Sequence, residues 1–187
     1  MAPNPPAGPP DEAALHAAAL AYLTRFAATE AGLQRVLDRR IDRWARTTVD
    51  RDAVSAAVET AKRIAAAVVA RLAASGAVSD MAFAESRARS LSRAGRSRRM
   101  VAATLAAKGI SGEMARAALP DDEDTELGAA LVLARKRRIG PFRTAPAGDK
   151  QRELAVLARA GFARDIALKA LSMTPDDAEA LIAAFRR

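Results

Sequence analysis

Apolar residues recur at three- and four-residue spacings along most of the chain, a pattern that predicts a succession of amphipathic helices. Leu15, Ala18, Ala19, Tyr22, Leu23 and Phe26 form one such face, in a helix that starts near Asp11 or Glu12. Thr29 is positioned to cap a second helix, with Leu33, Val36, Leu37, Ile41 and Trp44 turned inward. A long third helix runs from Arg51, burying Val54, Val58, Ala61, Ala65, Val68 and Leu72, and stops at Gly76. Ser79 or Asp80 caps the next, whose buried edge is Phe83, Ala84, Ala88 and Leu91. Thr47–Asp50 and the Pro/Gly stretch Thr144–Asp149 break the pattern. The last helix announces itself with Thr174, Pro175, Asp176 and Asp177, and buries Ala178, Leu181, Ile182 and Phe185.

One stretch, Arg98 to Leu119, is repeated near the end of the chain. Leu105, Gly109, Ile110, Met114, Ala115, Ala118 and Leu119 return fifty-two positions later as Leu157, Gly161, Phe162, Ile166, Ala167, Ala170 and Leu171. A fainter echo places Leu72, Gly76 and Met81 thirty-three positions before Leu105, Gly109 and Met114. Such self-similarity marks a helical repeat, in which no unit buries its apolar stripe alone. The L-x-x-x-G step has a physical meaning: leucine closes the buried face, glycine takes the left-handed conformation that ends the helix, and the next apolar residue folds back. Ser111 can cap the helix after Gly109, whereas after Gly161 only Asp165 brings charge to the first turn.

Composition narrows the class. Aromatics are 4% of the chain and half the residues are nominally hydrophobic, largely alanine, so helix is favoured nearly everywhere over a thin core. There is no cysteine, which removes disulfides and thiolate chemistry and suits a reducing cytoplasm. Ile64–Val78 is interrupted by Arg71 and too weakly apolar to span a membrane, and MAPNPPAGPPDE lacks the features of a signal peptide. The expected domains are a disordered Pro-rich tail at 1–12 and three helical modules at 13–79, 80–120 and 121–187.

A formal net charge of +8, carried almost wholly by arginine, points to an anionic partner, nucleic acid or acidic protein. Arg87, Arg89, Arg93, Arg96, Arg98 and Arg99 lie close together, and Arg135, Lys136, Arg137 and Arg138 end a helix whose dipole would justify one or two of them. The candidate partner-binding residues are Arg87, Arg93, Arg96, Arg98, Arg99, Arg135, Lys136, Arg137 and Arg138. Arg35, Arg39, Arg40, Arg43 and Arg46 form a further group on the second helix, beside Trp44, whose reading as core outweighs a contact role.

Nothing in the chain reads as catalysis. The lone His16 has no second histidine or cysteine, the glycines are scattered singly at helix ends rather than in a phosphate loop, and DDEDTE at 121–126 reads as linker and helix start, not a metal loop.

GAVSDMAFAESRARS at 76–90, GRSRRMVAATLAAKGIS at 95–111, KRRIGPF at 136–142 and LARAGFARDIALKAL at 157–171, with ALAYLTRF near the start, resemble the RecX family of regulators of the bacterial recombinase RecA. Asp80 and Phe83 match the family's acidic and aromatic positions, while Ala77 stands where the family has an aromatic. The resemblance implies an all-α fold of tandem three-helix repeats forming an elongated, curved helical array. It also implies a cytoplasmic protein, monomeric and without cofactor or metal. Its implied partner is the RecA filament on single-stranded DNA, and its implied action is inhibition of the ATPase, filament growth and strand exchange. A non-sequence-specific DNA-binding repeat protein, with direct DNA contact as its main role, is the alternative; solvated charge without a partner is a third.

Overall fold

A computed structural model describes residues 8–48, 51–119, 121–144 and 149–186, with the side chains of 51–53 excluded. The first seven residues of the Pro-rich tail, the end of the 47–50 break and most of the 144–149 loop lie outside the described residues. Every regular element described is helical.

The first compact unit ends at Phe83. It contains α1 (Glu12–Leu23), α2 (Glu30–Thr47), α3 (Arg51–Ala74) and the start of α4 (Asp80–Arg93). Both α1 and α2 pack on α3. Leu15, Ala19, Leu33, Leu37, Ile41, Ala61, Ala65, Val68, Val69, Leu72 and Val78 form its core. The expected caps are present: Asp11 accepts the Ala14 N–H at 2.8 Å and Thr29 accepts the Gly32 N–H at 2.9 Å. At α4 the capping hydroxyl is Ser79, which accepts the Ala82 N–H at 3.2 Å. Asp80 instead accepts the backbone N–H of Glu30 at 2.7 Å, joining the first turns of α2 and α4.

Trp44 is buried, in line with its reading as core. Phe26 departs from the pattern and is half exposed. The α1 helix stops at Leu23 with Thr24 as its C-cap, and Phe26 lies past that end, its N–H still reaching the Tyr22 carbonyl at 3.0 Å. It stacks tilted against Tyr22, with ring centroids 5.1 Å apart.

The second compact unit begins at Ala84. It takes the rest of α4, then α5 (Arg98–Ala107), α6 (Gly112–Ala117), α7 (Glu123–Arg137), a 3₁₀ turn (Gly140–Phe142), α8 (Lys150–Arg159), α9 (Arg164–Ser172) and α10 (Pro175–Arg186). Against α7 lie α9, α10 and α8. Nearly every residue of α7 from Leu127 to Ala134 is buried, with Leu133 half-buried. Leu157, Phe162, Ile166, Ala167, Ala170, Ala178 and Ile182 complete this core.

The repeated step is a Schellman turn. At the end of α5 the Ile110 N–H reaches the Leu105 carbonyl at 3.1 Å and the Gly109 N–H reaches Ala106 at 2.9 Å; at the end of α8 Phe162 and Gly161 do the same to Leu157 and Ala158 at 3.2 and 2.9 Å. Two further helices close the same way. Arg96 and Gly95 bond back to Leu91 and Ser92 after α4, and Ile139 and Arg138 to Ala134 and Arg135 after α7. In the last of these, arginine holds the place that glycine holds elsewhere, at φ 55°.

Candidate interaction surface

Three of these helix ends meet in the second unit. Gly95, at φ 85°, sits so close to α7 that a Cβ would lie 3.0 Å from the Leu133 nitrogen and 3.1 Å from Val132 Cγ1. Ser97 follows, fully buried. Its hydroxyl accepts the Met100 N–H at 3.3 Å, capping α5, and donates to the Ala160 carbonyl at 2.7 Å, at the end of α8. One serine thus ties the start of α5 to the end of α8, and one glycine seats the α4–α5 turn on α7.

Between them runs an open groove of about 690 Å³ lined by Ala94, Gly95, Arg96, Met100, Leu133, Lys136, Arg137, Val156, Arg159 and Ala160. Four of its lining residues are cationic and none is acidic. Lys136 Nζ donates to the Ala94 carbonyl at 2.6 Å, and Arg159 Nε donates to the Ala155 carbonyl at 3.0 Å, which fixes the stem and leaves the guanidinium tips to the groove. Several permanent positive charges facing one concavity form an electrostatic trap for an anionic surface.

Of the nine arginines and lysines singled out in the sequence, Arg96, Lys136 and Arg137 line the groove. Arg98 and Arg135 are held in ion pairs instead. Arg98 reaches Asp121 at 2.6 Å, and its backbone N–H donates to the half-buried Glu126, whose carboxyl is pushed above its usual value by burial. Arg135 pairs with Glu179 at 2.8 Å. Arg87, Arg93, Arg99 and Arg138 are exposed outside the groove lining.

Arg159 is the groove residue that the reading of charge clusters missed. The signal lay in the repeat: Arg159 aligns with Ala107 and Ala160 with Lys108, so the copies differ where the groove is charged.

Beyond the groove, the buried Glu153 clamps the chain around the 3₁₀ turn. It accepts Arg143 Nε at 2.9 Å and the Gly140 N–H at 3.3 Å, and the Arg143 guanidinium holds its carboxyl below the ordinary range. His16 is partly exposed on α1. Among the described residues no three His, Cys, Asp or Glu side chains gather as a metal site, and no helix is long and apolar enough to cross a membrane.

A family model described as RecX, second three-helix domain, matches residues 79–119. Regulatory protein RecX of Myxococcus xanthus (strain DK1622) is 42% identical over 167 residues, covering 86% of this chain and 86% of that protein. Regulatory protein RecX of Agrobacterium fabrum (strain C58) is 40% identical over 108 residues, covering 57% and 58%. The crystal structure of RecX from Lactobacillus salivarius matches with a TM-score of 0.61 at 19% identity, covering 86% of this chain and 94% of that one, a likeness of fold.

Proposed function

The chain belongs to the RecX family of regulatory proteins, and on that premise we propose that it docks on the RecA filament assembled on single-stranded DNA and inhibits its ATPase, growth and strand exchange. The observation that carries this reading is the groove: Arg96, Lys136, Arg137 and Arg159 around a concavity without an acidic side chain in its lining. A filament subunit presenting carboxylates there would gain charge-assisted hydrogen bonds, and the complementary fields would speed encounter.

The residues divide into roles. Arg96, Arg137 and Arg159 contact the filament, and Lys136 does so while braced on the Ala94 carbonyl. Arg98 and Arg135 hold the walls through Asp121 and Glu179. Exposed Arg87, Arg93, Arg99 and Arg138 extend the positive field around the site. In this reading the protein works as a cytoplasmic monomer and needs no cofactor.

The test is RecA-catalysed ATP hydrolysis on single-stranded DNA, titrated with the protein and with the triple variant Arg96→Ala/Arg137→Ala/Arg159→Ala. Inhibition at protein levels well below those that saturate bare DNA, weakened at least tenfold in the variant, is the expected result. Undiminished hydrolysis at every level of wild-type protein would overturn the reading.

A further inference from the structure

The arginines of α2 play no part in the groove, and their arrangement has its own meaning. Leu33, Leu37, Ile41 and Trp44 are the buried residues of this helix. At about 100° per residue, Arg35, Arg39, Arg43 and Arg46 fall on the side opposite to them, as one row about 16 Å long. All four are exposed, as is the neighbouring Arg40. Of the three acids of the same helix, Glu30 lies in its first turn, Asp42 pairs with Lys62 of α3 at 3.1 Å, and Asp38 accepts from Gln34 at 2.8 Å. Among the described residues the other ion pair of this unit is Arg71–Glu12, and Arg39, Arg43 and Arg46 belong to neither. Arg35, Arg39 and Arg43 stand one turn apart as like charges, which repel along a helix.

We infer that this face of α2 binds the phosphodiester backbone of single-stranded nucleic acid, without reading its sequence. Three observations select that ligand over an acidic protein. The arginines at 35, 39 and 43 follow one another about every helical turn, near 6 Å, and a nucleic-acid strand presents its charges at a regular spacing too. Every cation in it is arginine, whose fork matches a phosphate in a bidentate way. Finally, among the described residues the exposed large apolar side chains of this unit are Leu20, Phe26 and Met81, none of them on α2, whereas protein interfaces need an apolar centre. On α2 itself no ring is free to stack on a base, because Trp44, its aromatic residue, is buried.

This inference is independent of the filament reading, and its test contains no RecA. Binding of the full chain to fluorescent oligothymidylate and to a mixed-sequence oligonucleotide of equal length is followed by anisotropy across a salt series. In Arg39→Gln/Arg43→Gln/Arg46→Gln the log–log salt slope should become shallower by about 2, at about 0.7 per lost phosphate contact. Affinity should fall equally for both oligonucleotides, and the matching triple lysine variant should restore most of it. Single Arg39→Gln and Arg43→Gln variants, each with about a third of the effect, cover the case in which the triple variant does not fold. An unchanged slope in folded variants overturns the inference. So does unchanged oligonucleotide binding together with lost RecA inhibition, which would make the row a protein-docking face.

Discussion

Around the groove, Arg98 and Arg135 are bound to carboxylates, Lys136 to a carbonyl, and Arg159 to its own helix; along α2, Arg39, Arg43 and Arg46 enter no ion pair among the described residues. The groove is therefore built into the packing of the second unit, and two of its four charges, Lys136 and Arg159, have set positions. The row on α2 stands on an otherwise ordinary amphipathic helix, and any ligand must supply the order. A built site favours a partner of fixed shape, such as a protein filament, while exposed arginines outside any ion pair, as Arg39, Arg43 and Arg46 are among the described residues, favour a flexible strand. Equal clusters of arginine in a sequence can thus mean different things, depending on how many are engaged within the fold.

Substitutions should separate the two regions, and the largest effect belongs to Gly95→Ala. The added Cβ meets the α7 backbone at 3.0 Å while the left-handed conformation is retained against its preference. Urea denaturation should show a loss of about 3 kcal/mol, with the groove lost along with the seat of the α4–α5 turn. The Arg39→Gln/Arg43→Gln/Arg46→Gln variant should stay within about 0.5 kcal/mol of wild type in the same assay. A groove that survived Gly95→Ala with full stability would erase the distinction between built and carried charge.

Next comes Glu153. Its buried carboxylate holds Arg143 and the Gly140 N–H, and replacement by Gln should cost about 1.5 kcal/mol at neutral pH. The sign of the pH dependence follows from the lowered pKa. Because the folded value lies below the unfolded one, the stabilisation is present above the unfolded value, near 4.5, and is lost as pH falls through the folded value. Thermal melts from pH 6 downward should converge for wild type and Glu153→Gln. Parallel curves across that range would show that the clamp does not act through charge.

The smallest effect is expected at Arg138, the one non-glycine residue with positive φ among those described. Replacement by glycine should raise stability by about 0.5 kcal/mol, the relief of left-handed strain less the entropy glycine loses. If inhibition of RecA weakens while the melting temperature rises, the arginine is kept for its contact and not for its fold. A drop in stability would mean that the side chain itself supports the end of α7.

Much of the fold could be read from local chemistry. Thr29, Ser111 and Thr174 cap the helices their spacing announced, and the L-x-x-x-G steps end α5 and α8 with matching bonds. These features depend on residues within one or two turns, so sequence order suffices. Phe26 was misplaced because periodicity carries no sign of where a helix without glycine stops; Thr24 closes α1 first. The surface was only half legible. Arg98 finds Asp121 and Arg135 finds Glu179 across 23 and 44 positions, and tertiary packing alone decides such pairs. Arg159 entered the groove for the same reason, from a helix whose charge pattern had drawn no notice.

The most direct test of the groove's role is equilibrium binding of the fluorescently labelled chain to RecA filaments preassembled on single-stranded DNA with a non-hydrolysable ATP analogue. Arg96→Ala/Arg137→Ala/Arg159→Ala should weaken binding at least tenfold, about 1.4 kcal/mol, and a folded Arg98→Ala/Arg135→Ala variant, which loses wall contacts but no contacting charge, should lose less. Equal affinity for wild type and the groove variant would contradict that role.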